Sequence, residues 1–265
     1  MSVTAVAQDA ASDFVGTAKA FRIWNLLAIQ DIRQRYRRSV LGPFWITLST
    51  LVSIAALGLV YTKIFKTPID DYLPFLTVGF IAWSFISALV MESCAVFIGA
   101  EGIIKQINLP FGVHVMRMVW RNLIMLAHHS VVVVLVLIYA GITPTMQLFY
   151  LPFSLVLVTV TGVFSGYLLG AICARYRDIA PIVTSLMQVV FYVTPVIWYS
   201  SLLKGSEWLL VMNPFFHFLE ILRAPVLGSA VEHHSFRVCL GITLVLGAAS
   251  MLFMYRFKKR IAYWL

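Results

Sequence analysis

Two histidine pairs, His128-His129 and His233-His234, are residues whose type could ligate a metal or carry a proton. Adjacent residues on a helix project to different faces, so neither pair chelates a metal unaided, and no Asp or Glu stands one turn from His128 or His129. Glu232 adjoins the second pair, in a stretch read as a loop. Cys94, Cys173 and Cys239 are far apart in apolar runs and read as small buried hydrophobes. No catalytic constellation and no metal site is expected. No G-x-x-x-x-G-K-[ST] occurs either, so the chain has no P-loop on which to hold ATP phosphates. The strongest chemical signal is basic: residues 31–38, DIRQRYRR, set Arg33, Arg35, Arg37 and Arg38 around Tyr36. Guanidinium groups bind phosphate in bidentate fashion, which suits a nucleic-acid backbone or a lipid headgroup.

The remaining composition decides between these two. Of 265 residues, 61% are hydrophobic and 12% charged, against roughly 45–50% and about 25% in ordinary soluble domains. Crossing about 30 Å of hydrocarbon takes about 20 apolar residues. Six stretches qualify, near 44–64, 73–98, 114–140, 148–173, 180–199 and 236–256, so both termini fall on one side. With that side cytosolic, fifteen of the 20 Lys and Arg lie inside, and Lys63, Lys66, Lys204, Arg223 and Arg237 lie outside. The acids divide evenly, with Glu92 alone inside a span. The basicity is therefore a topology signal, and nucleic acid is not needed as a partner.

The expected fold is an all-α polytopic bundle of six transmembrane helices, a single domain over 1–265. It comprises a loose cytosolic lead (1–18), an interface helix (19–41), the bundle (44–256) and a cytosolic tail (257–265). On the interface helix, Phe21, Trp24, Ala28, Ile32 and Tyr36 form one stripe. Arg22, Arg33, Arg37 and Arg38 lie opposite, with Arg35 near the apolar edge. This is the pattern of a helix lying in the membrane interface with arginines among lipid phosphates. Gly42-Pro43 then breaks it before the first span. The segment 200–235 is apolar but interrupted by Gly205, Pro214, Pro225 and Gly228, which predicts short re-entrant helices dipping in from outside.

RYRRSVLGPFW resembles the entry to the first span in the permease subunits of bacterial ABC polysaccharide exporters, the type-2 group handling O-antigen, capsule and teichoic acid. The matching residues are Arg35, Tyr36, Ser39, Leu41, Gly42 and Trp45. YRDI (176–179), FYVTPVIW (191–198) and Asn213-Pro214 resemble further family elements in the same order, and length agrees across nearly the whole chain. One departure is Leu109-Pro110-Phe111, where relatives read Phe-Pro-Arg. The likeness is greatest to O-antigen exporters.

The resemblance implies a multi-pass inner-membrane permease that dimerises, recruits two P-loop ATPase subunits and moves a lipid-linked polysaccharide. ATP and Mg would be bound by the partner, and this chain would bind no cofactor. Arg33, Arg35, Tyr36, Arg37 and Arg38 would then hold the lipid pyrophosphate. Residues 101–113, including Glu101 and Lys105, and 175–181, including Arg175, Arg177 and Asp178, would dock onto the ATPase. Arg177 and Asp178 also suit a pair, or a cap on the fifth span. Trp83, Phe85, Tyr192, Trp198, Tyr199, Phe215 and Phe216 are candidates for a sugar pathway, because flat rings stack on pyranose faces, although belts of aromatic residues at both interfaces are ordinary. Gly162, Gly166 and Gly170 at four-residue steps predict close helix packing within one protomer. The alternatives are a drug or small-lipid exporter of the same fold and a membrane-embedded transferase.

Overall fold

The computed structural model describes residues 13, 15–35, 37, 42, 44–203, 205–206 and 208–265. Tyr36, Arg38, Ser39 and Leu41 lie outside the described residues. The order is α1 (Phe21–Arg35), α2 (Phe44–Phe65), α3 (Ile69–Ala95), α4 (Glu101–Gln106), α5 (Phe111–Tyr139), α6 (Leu151–Arg175), α7 (Ile179–Val193), α8 (Trp208–Val211), α9 (Pro214–Val226) and α10 (His233–Trp264). Short 3-10 turns precede α4, α6 and α8, and no strand occurs among the described residues.

Five of these helices are long and apolar enough to cross a membrane: α2, α3, α5, α6 with its 3-10 lead, and α10. The expected fifth span differs. Helix α7 has 15 residues, about 22 Å at 1.5 Å per residue, short of the hydrocarbon thickness. It stops at Thr194, whose extended backbone (φ −87°, ψ 135°) is the conformation that Pro195 imposes on its predecessor. Beyond it the chain runs non-helically to Tyr199. The expected interruptions between 200 and 235 are present as α8 and α9. The segment read as a tail continues α10 as helix to Trp264.

Helix α3 is the core of the bundle, with Tyr72, Leu76, Ile81, Phe85 and Leu89 all buried and with α2, α5, α6, α7 and α9 packed around it. Lipid tails are as apolar as leucine, so what holds such helices together is close packing, favoured by small residues. Gly162, Gly166 and Gly170 of α6 supply it within the protomer, against Leu89, against Val115 and Met118, and against Val96 and Phe97 respectively. A Cβ on Gly166 would stand 2.7 Å from Val115 Cγ1. Gly166→Leu is therefore expected to lower stability by about 1–3 kcal/mol through overpacking, read as a lower melting temperature in detergent.

Candidate functional site

Of the expected stripe on α1, Trp24, Ala28 and Ile32 are buried, whereas Phe21 is exposed and Tyr36 lies outside the described residues. The buried three lie against protein, because α1 packs on α5, with Trp24 edge-on to Trp120 at 5.8 Å and Trp120 Nε1 donating to Asn25 Oδ1 at 2.8 Å. The expectation that this stripe faces lipid is thus corrected. The exposed side of α1 holds Phe21, Ile23 and Leu26 together with Arg22 and Arg33.

What seats α1 is a chain of charges. Asp31 accepts from Arg117 Nε and Nη2 and from Arg121 Nη1. Arg121 Nη2 and Asn122 Nδ2 both donate to Glu92 Oε2 at 2.7 Å. Interface helix, α5 and α3 are joined by this one alternating network, and Glu92, the acid within the apolar run of α3, is paired by it. Burial by itself would raise the Asp31 carboxyl, but the two guanidinium groups outweigh it and hold it below the ordinary carboxylate value.

Arg35 does not join the network. It lines the mouth of a cleft of about 290 Å³ with Glu92, Gly99, His114, Arg117 and Arg121. A second cleft of about 150 Å³, which shares Arg35, Glu92 and Arg121 with the first, is lined also by Asn122 and His129. At the cleft wall His114 is 2% exposed, and neither ring nitrogen has a hydrogen-bond partner among the described residues. Arg33 and Arg37 are exposed, and Gly42 turns the chain into α2 with φ +56°, the left-handed conformation that glycine adopts without steric cost.

A second group of predicted residues gathers at one end of the bundle. Glu101 accepts from Lys105 at 2.7 Å across one turn of α4. That hydrogen bond and charge keep the Glu101 carboxyl below its ordinary value, with Arg177 contributing from across the gap. Arg175 lies over the rings of Tyr176 and Trp264, and Arg177 Nη2 donates to the Leu265 carbonyl at 3.4 Å. The two predicted docking segments are thereby brought to the end of α10. No Arg177–Asp178 ion pair forms among the described residues, and Asp178 occupies the N-cap of α7 without a side-chain cap hydrogen bond.

The aromatic candidates divide. Trp83 and Phe85 are buried in the core, Trp83 beside Phe191 and Phe215. Tyr192 is 71% exposed on α7, and Trp198 Nε1 donates to its carbonyl. Tyr199 lies against Phe75 at 4.3 Å, and Phe216 against His217. The structure thus does not bring the seven rings into one continuous wall within a protomer.

Sequence reasoning missed Asp13, Asp31, Arg117, Arg121 and Arg223 as structural partners. Arg117 and Arg121, like charges one turn apart on an apolar helix, were the available signal, since such a pair repels unless an acid is shared.

The description "ABC-2 type transporter" belongs to the family model that matches residues 23–227. Among curated proteins, an O-antigen export system permease protein RfbA of Klebsiella pneumoniae is 21% identical over 249 residues, covering 91% of this chain and 95% of that protein. A protein of the same name from Myxococcus xanthus is 23% identical over 191 residues, covering 71% and 74%.

Proposed function

Because the chain belongs to the ABC-2 type transporter family, we propose that it is the membrane subunit of a polysaccharide exporter. Two copies would form the path, and two copies of a separate P-loop subunit, binding ATP and Mg, would drive it. The cargo is a lipid-linked polysaccharide of the O-antigen kind named for the relatives. The observation that carries the reading is the charged end where α4, the 175–178 turn and the last turn of α10 meet. It is a polar surface suited to a protein partner on a chain otherwise made for hydrocarbon.

Both termini would face the cytosol, with α7 and the chain after it completing an even number of crossings, a reading the excess of Lys and Arg on that side supports. Helices α2 and α7 are thinly covered, with four and one buried residues respectively. Ile182, Leu186, Val189 and Val193 of α7 are exposed as one stripe, which supports α2 and α7 as the faces that meet a second copy. Arg33, Arg35 and Arg37, with Tyr36 and Arg38 beyond the described residues, would hold the lipid pyrophosphate where α1 meets the bundle. A transport role asks nothing of this chain as an enzyme.

Deleting the gene is expected to leave polysaccharide made but trapped in the cytosol, while loss of synthesis would point instead to a transferase. In the same strain, a chain with Arg33, Arg35, Arg37 and Arg38 all changed to Gln should insert normally and fail to restore export. Normal export by that variant would remove the arginines from the lipid site.

A further inference from the structure

The lead ahead of α1 was expected to be loose, yet its described part is fixed to the bundle by one carboxylate. Asp13 is 5% exposed. Its Oδ1 accepts from Phe111 N at 3.2 Å and forms an ion pair with Lys258 Nζ at 3.0 Å. Its Oδ2 accepts from Gly112 N at 3.1 Å and Tyr167 Oη at 2.9 Å. Three hydrogen bonds and one ammonium, from α5, α6 and α10, converge on two oxygens, and a carboxylate, which accepts without donating, matches them. An asparagine there must turn its NH₂ toward either Lys258 and Phe111 N–H or Gly112 N–H and Tyr167 O–H.

The fit around it is close. A Cβ on Gly112 would collide with Tyr167 Oη and Thr17 Oγ1, and one on Gly16 would press on Pro110. The lead also runs on into α1: Thr17 Oγ1 donates to the Asp13 carbonyl at 2.7 Å, and Trp24 Nε1 donates to the Thr17 carbonyl at 3.1 Å. One short stretch thus ties together the start of α5, the end of α10 and the interface helix.

The first two N–H groups of α5 end the segment 101–112, which holds Glu101 and Lys105. We propose that Asp13 is a positioning residue for energy coupling: it straps this segment to α10 and α1, so that a push received at α4 moves the bundle instead of being lost in a slack loop. The proposal rests on the reading above that residues 101–113 meet the ATPase. A helix cap alone would need only the two backbone donors, whereas this carboxylate also takes Tyr167 and Lys258 from two other helices.

The test uses the assembled transporter, this chain with its ATPase subunits, in proteoliposomes, comparing Asp13→Asn and Asp13→Glu with the unaltered chain. Three quantities are read: amide exchange at residues 101–112, melting temperature, and ATP hydrolysed per polysaccharide exported. Losing charge-assisted hydrogen bonds should raise local exchange by about tenfold or more in the Asn variant, and the ATP cost of export should rise with it. Melting should fall only modestly, because Asn keeps part of the hydrogen bonding and Lys258 retains 27% of its exposure, co-purification of the ATPase should hold, and Glu, which keeps the charge, should recover part of the coupling. The proposal is overturned if local exchange does not change. It is equally overturned if exchange rises while ATP per export stays constant, or if exchange rises throughout with a large fall in melting temperature, which is a stability role only. Failure of the exporter reading is separate and visible first, because the unaltered chain would then show no ATP-driven export while the exchange comparison still reports on the strap.

Discussion

Replacing Asp31 by alanine is expected to destabilise the folded chain by about 3–5 kcal/mol, the cost of breaking a mostly buried ion pair from one side. The Asp31, Arg117 and Arg121 side chains retain 13%, 22% and 20% of their exposure, so solvent screens them little. Without Asp31 two guanidinium groups one turn apart on α5 face each other with only Glu92 left to share. The measurement is melting in detergent together with limited proteolysis of α1, which should be cut at Arg33 or Arg35 far sooner than in the unaltered chain. An Asp31→Ala chain with unchanged melting and an equally protected α1 would mean that Trp24, Ala28 and Ile32 seat the helix without the charges. The pH dependence has a definite sign. A carboxyl whose folded pKa lies below its ordinary 3.8 contributes fully above that value and loses its contribution as pH falls through the depressed one. The latch is therefore complete at neutral pH, and α1 should loosen only in acid below about pH 4.

Arg223→Ala should be nearly as severe, at about 3–5 kcal/mol, and should act at the opposite end of the bundle. Arg223 is 4% exposed. Its Nη1 donates to the Pro195 carbonyl at 2.7 Å, its Nη2 to Glu220 at 2.8 Å, and its guanidinium lies 4.4 Å from the centre of the Phe75 ring. Pro195 ends α7 and leaves carbonyls with no helical donor. Arg223 satisfies one of them and Tyr72 Oη another, at Ile197 O, 2.7 Å away. Removing the guanidinium leaves a buried acceptor unpaired, strands Glu220 and opens a gap beside Phe75. Accessibility of a cysteine placed at Ile197 should rise as melting falls. Arg223→Lys should rescue only in part, because an ammonium lacks the planar fork that reaches Pro195 and Glu220 together. Equal melting for the Lys variant and the unaltered chain would reduce Arg223 to a simple positive charge.

Much of the fold was legible along the chain because it depends on properties local in sequence. Apolar runs of membrane length located α2, α3, α5, α6 and α10, and helical spacing picked out Trp24, Ala28 and Ile32. The glycines of α6 faced Leu89, Val115 and Val96 within the protomer, as their spacing implied. The length of the fifth apolar helix was not legible, because hydropathy does not register Pro195, which follows the end of α7 while the apolar run continues. The candidate site was legible in part: Arg35 and residues 176–178 carried family motifs, but what seats them carried none.

The sequence by itself determined a membrane protein without a P-loop motif, its family motifs, and the asymmetry of basic residues on which the proposed orientation rests. Only the tertiary structure decided that the interface helix is latched by Asp31 to Arg117 and Arg121, that the N-terminal lead is held by Asp13, and that Arg223 holds the broken end of α7. The physical reason is one of distance. Burial in lipid follows from twenty neighbouring residues, whereas a charge pair is set by separation in space, and the Asp31–Arg117 and Asp13–Gly112 partners stand 86 and 99 positions apart.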